Sequence, residues 1–453
     1  MGKTRLTRRG FVKAAGAVGA FSIVPRHVLG VGQIPPSEKL NVACIGLGWP
    51  GCKDVDALAP TENIVALCDV DSDRAPDFRK KYEKARNFID YRQMFDEMGK
   101  SIDAVIVATP DHTHAVLAIA AMKLGKHVYC EKPLAHSIRE VREMMKVAKE
   151  QKVVTQMGNQ GHSSDSIRLF CEWIWDGAIG NVHTIHAGCS IQNTGMGRLA
   201  EVQSNRVPVP SNLNWDLWLG PAMERPYHPA YLHETWRGWV PFGDGTLGDW
   251  TCHVLDPVFW ALELGPPTSL VAEVKDWDPK TQGDVYPKGE VVTFEFPARQ
   301  TVHGTRGSVK LIWYTGSEKI PRPPMLEENR TAVDTGAVVY GDKGAIMYGS
   351  HGAGGVRIIP ESAMKSYKQP KPSIPRVPKG GHEQDWARAI KAGGRAGSDF
   401  AYGGPLTEIA LVGIIAIKLM GQKLEWDSQK MEFKNSRAAN ELVSPPMRAG
   451  WSL

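Results

Sequence analysis

The chain of 453 residues is too long for one small module and fits two or three domains. Its 42% hydrophobic and 23% charged residues are typical of a globular protein and exclude wholesale disorder, and its seven cysteines are too few for a disulfide scaffold. The first 37 residues hold six of the 54 basic side chains and none of the 49 acidic ones, so the net charge of +5 arises in the leader and no sustained basic face indicates a nucleic-acid partner.

The leader has the features of an export signal. Arg8 and Arg9 precede Gly-Phe-Val-Lys and an apolar run from Ala14 to Val24, which is too short to cross a bilayer core that needs about 20 residues. This pattern resembles the twin-arginine signal, which exports folded proteins across the bacterial inner membrane. We expect residues 1–30 to be this signal and the protein to be periplasmic, without a stable membrane span after export. The alternative is a basic N-terminus that arose by chance.

A dinucleotide-binding pattern opens the rest of the chain. The apolar run Leu40–Ile45 leads into Gly46-Leu47-Gly48-Trp-Pro-Gly51, and a helix is expected from about Lys53 to Leu58. A second strand, Ile64–Cys68, ends on Asp69 at the distance expected for the acid of this motif. In such a loop Gly46 permits a tight turn, Gly48 lets the backbone approach a pyrophosphate, and Gly51 allows the helix to pack on the strand.

The acid at the end of the second strand indicates which dinucleotide binds. Asp69 can accept hydrogen bonds from the ribose hydroxyls of the adenosine, and Asp71 follows two residues later. Both carboxylates would repel a 2′-phosphate, so we predict NAD rather than NADP, with Arg74 as the one nearby residue that favours the phosphate. No metal site is predicted, because the chain has no Cys-x-x-Cys and no convincing His/Cys spacing.

Strands and helices then alternate along the first third of the chain. Strands are predicted at 102–108, 127–130 and 153–157, with helices up to about residue 124 and from 138 to 150. This order indicates a doubly wound parallel sheet, which binds ligands at the carboxyl ends of its strands. The candidate cofactor residues at those ends are Gly46, Leu47, Gly48, Gly51, Asp69, Thr109, Pro110, His114, Glu131 and Lys132.

These motifs resemble those of the glucose–fructose oxidoreductase, inositol dehydrogenase and rhizopine catabolism (Gfo/Idh/MocA) family. The resemblance rests on the glycine motif, Thr109-Pro110 to His114, Glu131-Lys132-Pro133, and an Asp249-x-x-x-His253 pair in the second half. It implies an α/β protein: an N-terminal Rossmann domain followed by an α/β domain with a large open, mostly antiparallel sheet. It also implies that this sheet covers the nicotinamide and often forms a dimer contact, so we expect a homo-oligomer, a dimer or tetramer.

We expect four segments: the signal at 1–30, the Rossmann domain at 38–158, a substrate and oligomerisation domain at 159–435, and a tail at 436–453. Residues 192–245 are rich in Trp and Pro with little periodicity, and 316–380 look similarly irregular. Aromatic and polar neighbours such as Trp236 and Arg237 suit a sugar ring, although the segment can equally be an aromatic-packed loop. His162, which follows a strand expected to end near the site, is a further candidate substrate contact.

The candidate catalytic residues are Lys132, Asp249 and His253. On a helix Asp249 and His253 are at i and i+4 and share one face. The unperturbed pKa of histidine suits His253 to removing a hydroxyl proton, Lys132 can stabilise the developing alkoxide, and Asp249 can position the substrate or tune His253. These groups predict oxidation of a secondary hydroxyl of a sugar or glycoside, with hydride transfer to NAD.

Export implies that the nicotinamide stays bound, because no pool of free NAD lies outside the cytoplasm. A retained cofactor must be regenerated in each cycle. This can occur by transfer between two sugars, or by a redox-neutral glycosidase that oxidises, eliminates, hydrates and reduces again. The glycosidase relatives depart from Glu-Lys-Pro at its middle position, so Lys132 favours the oxidoreductase. A non-catalytic sugar-binding protein is a third alternative, against which the intact Lys132 and His253 argue.

Overall fold

A computed structural model describes residues 38–378 and 381–453 of the chain. The predicted export signal, residues 1–30, lies outside these ranges. Within them the chain builds two sheets, one parallel and one mixed, and the helices that follow each strand cover or join them. This arrangement confirms the predicted fold class.

The first sheet is parallel and has six strands in the order β3-β2-β1-β4-β5-β6. Its central strand β4 is buried throughout, as expected for an apolar run that helices cover on both faces. The strand order is that of a doubly wound dinucleotide-binding fold, with the switch in direction between β1 and β4. The strands are β1 Asn41–Ile45, β2 Asn63–Cys68, β3 Arg86–Phe88, β4 Ala104–Val107, β5 His127–Cys130 and β6 Thr155–Met157.

Five helices follow these strands: α1 Trp49–Leu58, α2 Pro76–Lys81, α3 Tyr91–Met98, α4 Asp111–Lys123 and α5 Ile138–Gln151. Helix α1 begins at Trp49, four residues before the predicted start, because Gly48 is its N-cap and Pro50 fits the first turn without needing an N–H partner. Strand β3 was not predicted, since its three residues include only one buried side chain. The remaining predicted strands and helices are confirmed within a few residues.

The second sheet is mixed, with nine strands in the order β15-β14-β13-β7-β12-β9-β8-β16-β17. Among the described strand pairs of this sheet, β7 and β12 alone are parallel, and the others are antiparallel. Strand β9 alternates between buried and half-buried side chains, so one face packs on helices and the other is more open. The strands are β7 Val182–Cys189, β8 Ser269–Val274, β9 Glu290–Phe296, β12 Val309–Thr315, β13 Gly336–Gly341, β14 Gly344–Gly349, β15 Gly354–Ile359, β16 Leu424–Asp427 and β17 Glu432–Phe433, with the separate hairpin β10 Arg299–Thr301 and β11 Gly304–Arg306.

The expectation of an irregular segment at 316–380 is wrong. Three strands of the second sheet, β13 to β15, lie in it, followed by helix α12 at Glu361–Ser366. Strands β13 and β14 are short and begin and end with glycine, a residue that is depleted in strands. Residue propensity therefore does not predict them. Pairing of β13 with the distant strand β7 defines them, and a sequence pattern does not show such a partner.

The other helices of the second half are α6 Asp165–Trp175, α7 Leu199–Ser204, α8 Trp215–Leu219, α9 Gly245–Val254, α10 Asp256–Leu262, α11 Pro279–Gln282, α13 Gly381–Ala392, α14 Phe400–Lys418 and α15 Arg437–Val443. The segment 192–245 contains α7, α8 and short turns around an aromatic cluster that includes Trp215, Trp218 and Trp239. It is therefore partly helical and packed by its own rings.

Two late helices return to the first sheet and join the two halves. Trp386 and Ala387 of α13 are buried with residues of β1 and β4 in one core cluster. Helix α14 is long and apolar enough to span a membrane, but 83% of its apolar window is buried, because it packs against β6 and α5 on one side and β8 on the other. The carboxyl ends of the first sheet therefore face the start of α9 across a cleft.

Candidate active site

The glycine loop is pressed between β4 and α1. Gly46 has φ +94°, and a Cβ on it would lie 2.4 Å from the carbonyl oxygen of Ala108. A Cβ on Gly51 would lie 2.2 Å from the carbonyl oxygen of Gly46. Both positions therefore require glycine for packing within the protein itself, as the tight-turn and helix-packing roles predict.

Gly48 differs, because the space beside it is open. Its φ of −66° is ordinary, and a Cβ there would find its nearest neighbours, in Arg74 and Pro50, at 3.7 Å. Gly48 is also the N-cap of α1, and no side chain caps that end of the helix. The first N–H groups of α1 thus face open space with the positive end of the helix dipole, an arrangement suited to a phosphate.

Asp69 ties the loop to the end of β2. Its carboxylate accepts hydrogen bonds from the backbone N–H of Leu47 at 2.7 Å and of Asp71 at 2.9 Å. Burial raises the pKa of Asp69, and these backbone donors and two arginines offset part of that rise. Asp69 also lines the cavity, so its carboxylate can accept a further hydrogen bond from a ligand that binds there.

One cavity runs from this acid to the far edge of the sheet. Thr109, Pro110, His114, Glu131 and Lys132 from the first half line it together with the glycine loop. Trp236 and Arg237 from the second half close its other side. Its wall includes the apolar side chains of Ile89, Val116, Leu117 and Leu217. Ile89 follows Phe88, whose carbonyl oxygen accepts a hydrogen bond from the N–H of Asp69 at 3.1 Å. The cavity therefore offers an apolar crevice next to an acid, an open helix N-terminus in the middle, and polar groups at the far end.

These residues fit a nicotinamide dinucleotide. The apolar crevice beside Asp69 suits adenine and its ribose, and the free N–H groups at Gly48 suit the pyrophosphate. The far end, at Glu131 and Lys132, is left for the nicotinamide. The fit supports the cofactor predicted from the motif. Asp71 lines the same cavity, and its carboxylate also accepts a hydrogen bond from Asn212 Nδ2 at 2.7 Å.

The structure brings Lys132, Asp249 and Arg237 together at that far end. Lys132 Nζ pairs with Asp249 Oδ1, and Arg237 Nε lies 3.5 Å from the same oxygen. Asn193 donates a hydrogen bond from Nδ2 to Asp249 Oδ2 at 2.9 Å. Burial alone would raise the pKa of Asp249, but the Lys132 and Arg237 cations hold it well below its usual range. Asp249 is therefore ionised and orients the Lys132 ammonium.

His253 lies one turn further along α9, as predicted. Its side chain is buried, and Nδ1 makes no hydrogen bond within the described residues. Burial lowers the pKa of His253 well below its usual value, and the positive charges of Lys132 and Lys53 and the ring of His351 lower it further, against the Asp249 carboxylate. The imidazole is thus neutral at physiological pH and able to accept a proton.

Two other predicted residues hold the strand-end loops in place. The ring nitrogens of His114 lie 2.8 Å from the carbonyl oxygens of Pro133 and Thr109, which joins the two loops beside the cavity. Burial lowers the pKa of His114 to about 4. Glu131 is buried next to Lys132, and burial raises its pKa to about 7. The direct cofactor contacts predicted for these side chains stay predictions.

The structure corrects the expected position of His162. Its ring is buried, its Nδ1 lies 3.1 Å from Asp256, and it stacks on Trp260 with ring centroids 4.6 Å apart. It does not line the cavity, because the short helical turn after β6 directs it into the interior of the second half. Trp236 and Arg237, the other two predicted substrate contacts, do line the cavity.

Three residues at this end of the cleft were missed from the sequence. Asp111 lines the cavity and accepts a hydrogen bond from the N–H of Asp244, and its position directly after Thr109-Pro110 was a usable signal. Asn193, which donates a hydrogen bond to Asp249, comes four residues after the end of strand β7, and that position was a usable signal for a site residue. His351 stacks on His253 with centroids 4.1 Å apart, but it lies in the stretch that was expected to be irregular, so no signal marked it.

Two family models match the chain in the same order as its two sheets. The model of an oxidoreductase family with an NAD-binding Rossmann fold covers residues 40–159, and that of the C-terminal α/β domain of an oxidoreductase family covers residues 187–284. The matches thus show an NAD-binding Rossmann domain that is followed by the C-terminal α/β domain of an oxidoreductase family. Both are domain models of the Gfo/Idh/MocA family, which is the family that the sequence motifs predicted.

Two curated relatives show the range of this family. A levoglucosan dehydrogenase of Pseudarthrobacter phenanthrenivorans is 29% identical in an alignment of 157 positions that covers 32% of this chain and 39% of that protein. An alpha-N-acetylgalactosaminidase of Shewanella oneidensis is 31% identical in an alignment of 191 positions that covers 36% of this chain and 41% of that protein. The chain thus matches about two fifths of the length of these relatives.

The fold extends further than these sequence matches. A solved structure of levoglucosan dehydrogenase in complex with NADH aligns with 85% of this chain and 99% of that chain, with a TM-score of 0.54 and 19% identity. At this identity the likeness shows the shared fold, including the second sheet.

Proposed function

We propose that the protein is an NAD-dependent oxidoreductase that acts on a secondary hydroxyl of a sugar or glycoside. The observation that carries this proposal is the Lys132–Asp249 ion pair. Lys132 lines the far end of a cavity that fits NAD, and neutral His253 is buried one helical turn beyond Asp249. A dehydrogenase needs these parts in this place: a site for the dinucleotide, a cation for the reacting oxygen and a base for its proton.

The chain's residues then take distinct roles. Bound NAD would supply the acceptor for the hydride that leaves the carbinol carbon. Lys132 Nζ, held by Asp249, donates a hydrogen bond to the hydroxyl oxygen and stabilises the negative charge that develops there. His253 accepts the hydroxyl proton, which it can do because its imidazole is neutral. Trp236, with the Arg237 guanidinium 4.3 Å from its ring centroid, offers an apolar face and a polar edge to the sugar.

A redox-neutral glycosidase is the second candidate, and a part of the curated relatives favours it. Several of the matched proteins are named as glycosyl hydrolase family 109 members, with 30–31% identity over 191 residues. The same residues would serve this reaction, because it begins with the same oxidation and ends with its reversal. The two candidates differ in whether the reduced cofactor accumulates.

We also propose that the protein is exported folded through the twin-arginine route and works in the periplasm with its NAD retained, as a homo-oligomer. The Arg8-Arg9 leader supports export, and a cavity lined by residues from both halves of the chain supports retention. A fusion of residues 1–37 to a folded reporter would reach the periplasm in cells with a working twin-arginine system. Replacement of Arg8 and Arg9 by Lys would stop it.

The test of the activity uses NAD-loaded protein and a panel of sugars and aryl glycosides. Absorbance at 340 nm and release of the aryl group are followed together, with Lys132→Ala as the control. Absorbance that rises without aryl release supports the oxidoreductase, and aryl release without lasting absorbance supports the glycosidase. If NAD binds and sugars bind but neither signal changes for any member of the panel, the protein is a sugar-binding protein and the proposal is wrong.

A further inference from the structure

The apolar end of the cavity is covered by a segment of the second half, residues 212–218, here named the strap. The strap extends the edge of the first domain: Ser72 N donates to Asn212 O at 2.8 Å, and Asn214 N donates to Val70 O at 2.9 Å. Leu213, Leu217 and Trp218 of the strap line the cavity. The strap is thus bound by backbone hydrogen bonds to the residues that follow Asp69.

A second element, residues 445–453, here named the tail segment, lies on the strap. Arg448 is its anchor: Nη1 donates to Asp216 Oδ1 at 2.6 Å, Nη2 to Asp216 O at 2.9 Å, and Nε to Gly220 O at 3.0 Å. Its backbone N–H also donates to Pro221 O at 2.9 Å. The Arg448 side chain is only 14% exposed, so four hydrogen bonds hold this position against the strap and the residues after it.

Trp451 places a ring at the cavity. It lines the cavity together with Tyr91, Ile89 and Leu217. Ile89 marks the Asp69 end, because the carbonyl oxygen of Phe88 accepts a hydrogen bond from the N–H of Asp69 at 3.1 Å. The Arg92 guanidinium lies 5.6 Å from its ring centroid and approaches it from the first domain. Trp451 therefore bridges the rim of the first domain and the strap, above an apolar crevice whose neighbouring acid marks it as the adenosine end.

We infer that the tail segment is part of the cofactor site: Trp451 closes the adenine crevice, and Arg448 holds it closed. This inference rests on the proposed binding of NAD and assigns its retention to named residues. Adenine cannot leave between Ile89 and Leu217 while the indole covers them, and the indole can move away only if the anchor at Arg448 yields. The tail segment should therefore slow release of the cofactor more than it affects the far end of the site.

The experiment measures the release of NAD from loaded protein. Aliquots pass through a desalting column at intervals, and mass spectrometry quantifies the NAD that stays with the protein. Stacking of an aromatic ring on a base is worth enough that Trp451→Ala should release NAD about ten- to a hundredfold faster, and Trp451→Phe clearly less so. Arg448→Ala should act in the same direction, since it frees the tail segment without touching the crevice.

The matched control is Arg437→Ala in the neighbouring helix α15. Arg437 is 94% exposed, and among the described residues its side chain pairs with Glu441 alone, one turn away, in an ordinary surface ion pair. Its release rate should equal that of the wild type. Equal release from wild type, Trp451→Ala and Arg448→Ala would overturn the inference while leaving the proposed function intact. A wild type that binds no NAD at saturating concentrations would overturn both.

A second measurement on the wild type covers the case in which the variants fail to fold. Amide hydrogen exchange of residues 445–453 is compared with and without saturating NAD. Slower exchange with NAD is expected, because the ligand and Trp451 hold each other in place. Unchanged exchange in the tail segment, with protection appearing only at the glycine loop, would contradict the inference.

Discussion

Gly48 allows the cofactor cradle to be tested apart from the stability of the protein. In Gly48→Ala the new methyl group meets nothing closer than 3.7 Å, and φ −66° suits alanine. The protein without NAD should lose at most about 1 kcal/mol, the cost of alanine at a helix N-cap. With NAD the methyl group occupies the space that the pyrophosphate needs, and overpacking costs about 1–3 kcal/mol, or about 5- to 150-fold in Kd.

The assay is a titration of NAD into each protein, with the melting temperature measured with and without saturating cofactor. Gly48→Ala should melt near the wild type when NAD is absent and gain much less from NAD. Gly99→Ala is the matched control, because a Cβ there meets nothing within 4 Å and the site is remote. Gly46→Ala should lose stability even without NAD, since its Cβ would lie 2.4 Å from Ala108 O. An unchanged NAD affinity in Gly48→Ala would refute this account of the cradle.

The remaining predictions concern the chemistry, the choice of cofactor and the effect of pH. Lys132→Ala and His253→Ala should each lower turnover by about 10²–10⁴ while NAD stays bound, and near-normal turnover would remove that residue from the mechanism. Asp69→Ala should weaken NAD more than NADP, and equal or better binding of NADP by the wild type would contradict the assignment of the cofactor. The pKa of His114 is about 4 in the folded protein and about 6.5 when unfolded. The unfolded chain therefore binds more protons as the pH falls from 6.5 to 4, which removes up to about 3 kcal/mol of stability in urea titrations. His114→Gln should flatten this dependence.

The parts of the fold that could be predicted are those specified by local pattern. Strands β1, β4 and β5 are apolar apart from the first residue of β1 and of β5, and the turn after β1 needs glycine at Gly46, so residue type alone predicts them. Lys132 was found because it follows a strand end, and His253 because a helix brings i and i+4 together. In each case the chemistry depends on residues close together in the sequence.

The parts that could not be predicted depend on partners far along the chain. Strands β13 and β14 are short and edged by glycine, and pairing with β7 defines them. His351 reaches His253 only because the loop between β14 and β15 folds back, with the N–H of His351 donating to His253 O at 3.0 Å. Trp451 reaches the cavity through contacts with residues more than 200 positions earlier in the chain. A local sequence pattern does not predict such contacts.

The most direct test of the account uses protein purified and dialysed without added NAD. A substrate from the panel is mixed with it, and absorbance at 340 nm is recorded with no free cofactor present. We expect the absorbance to rise to a level that corresponds to nearly one reduced nicotinamide per chain. It should fall back to its starting value when a carbonyl sugar is added. No rise in the dialysed protein, together with steady turnover when free NAD is supplied, would contradict the closed cycle and indicate a dehydrogenase that exchanges its cofactor.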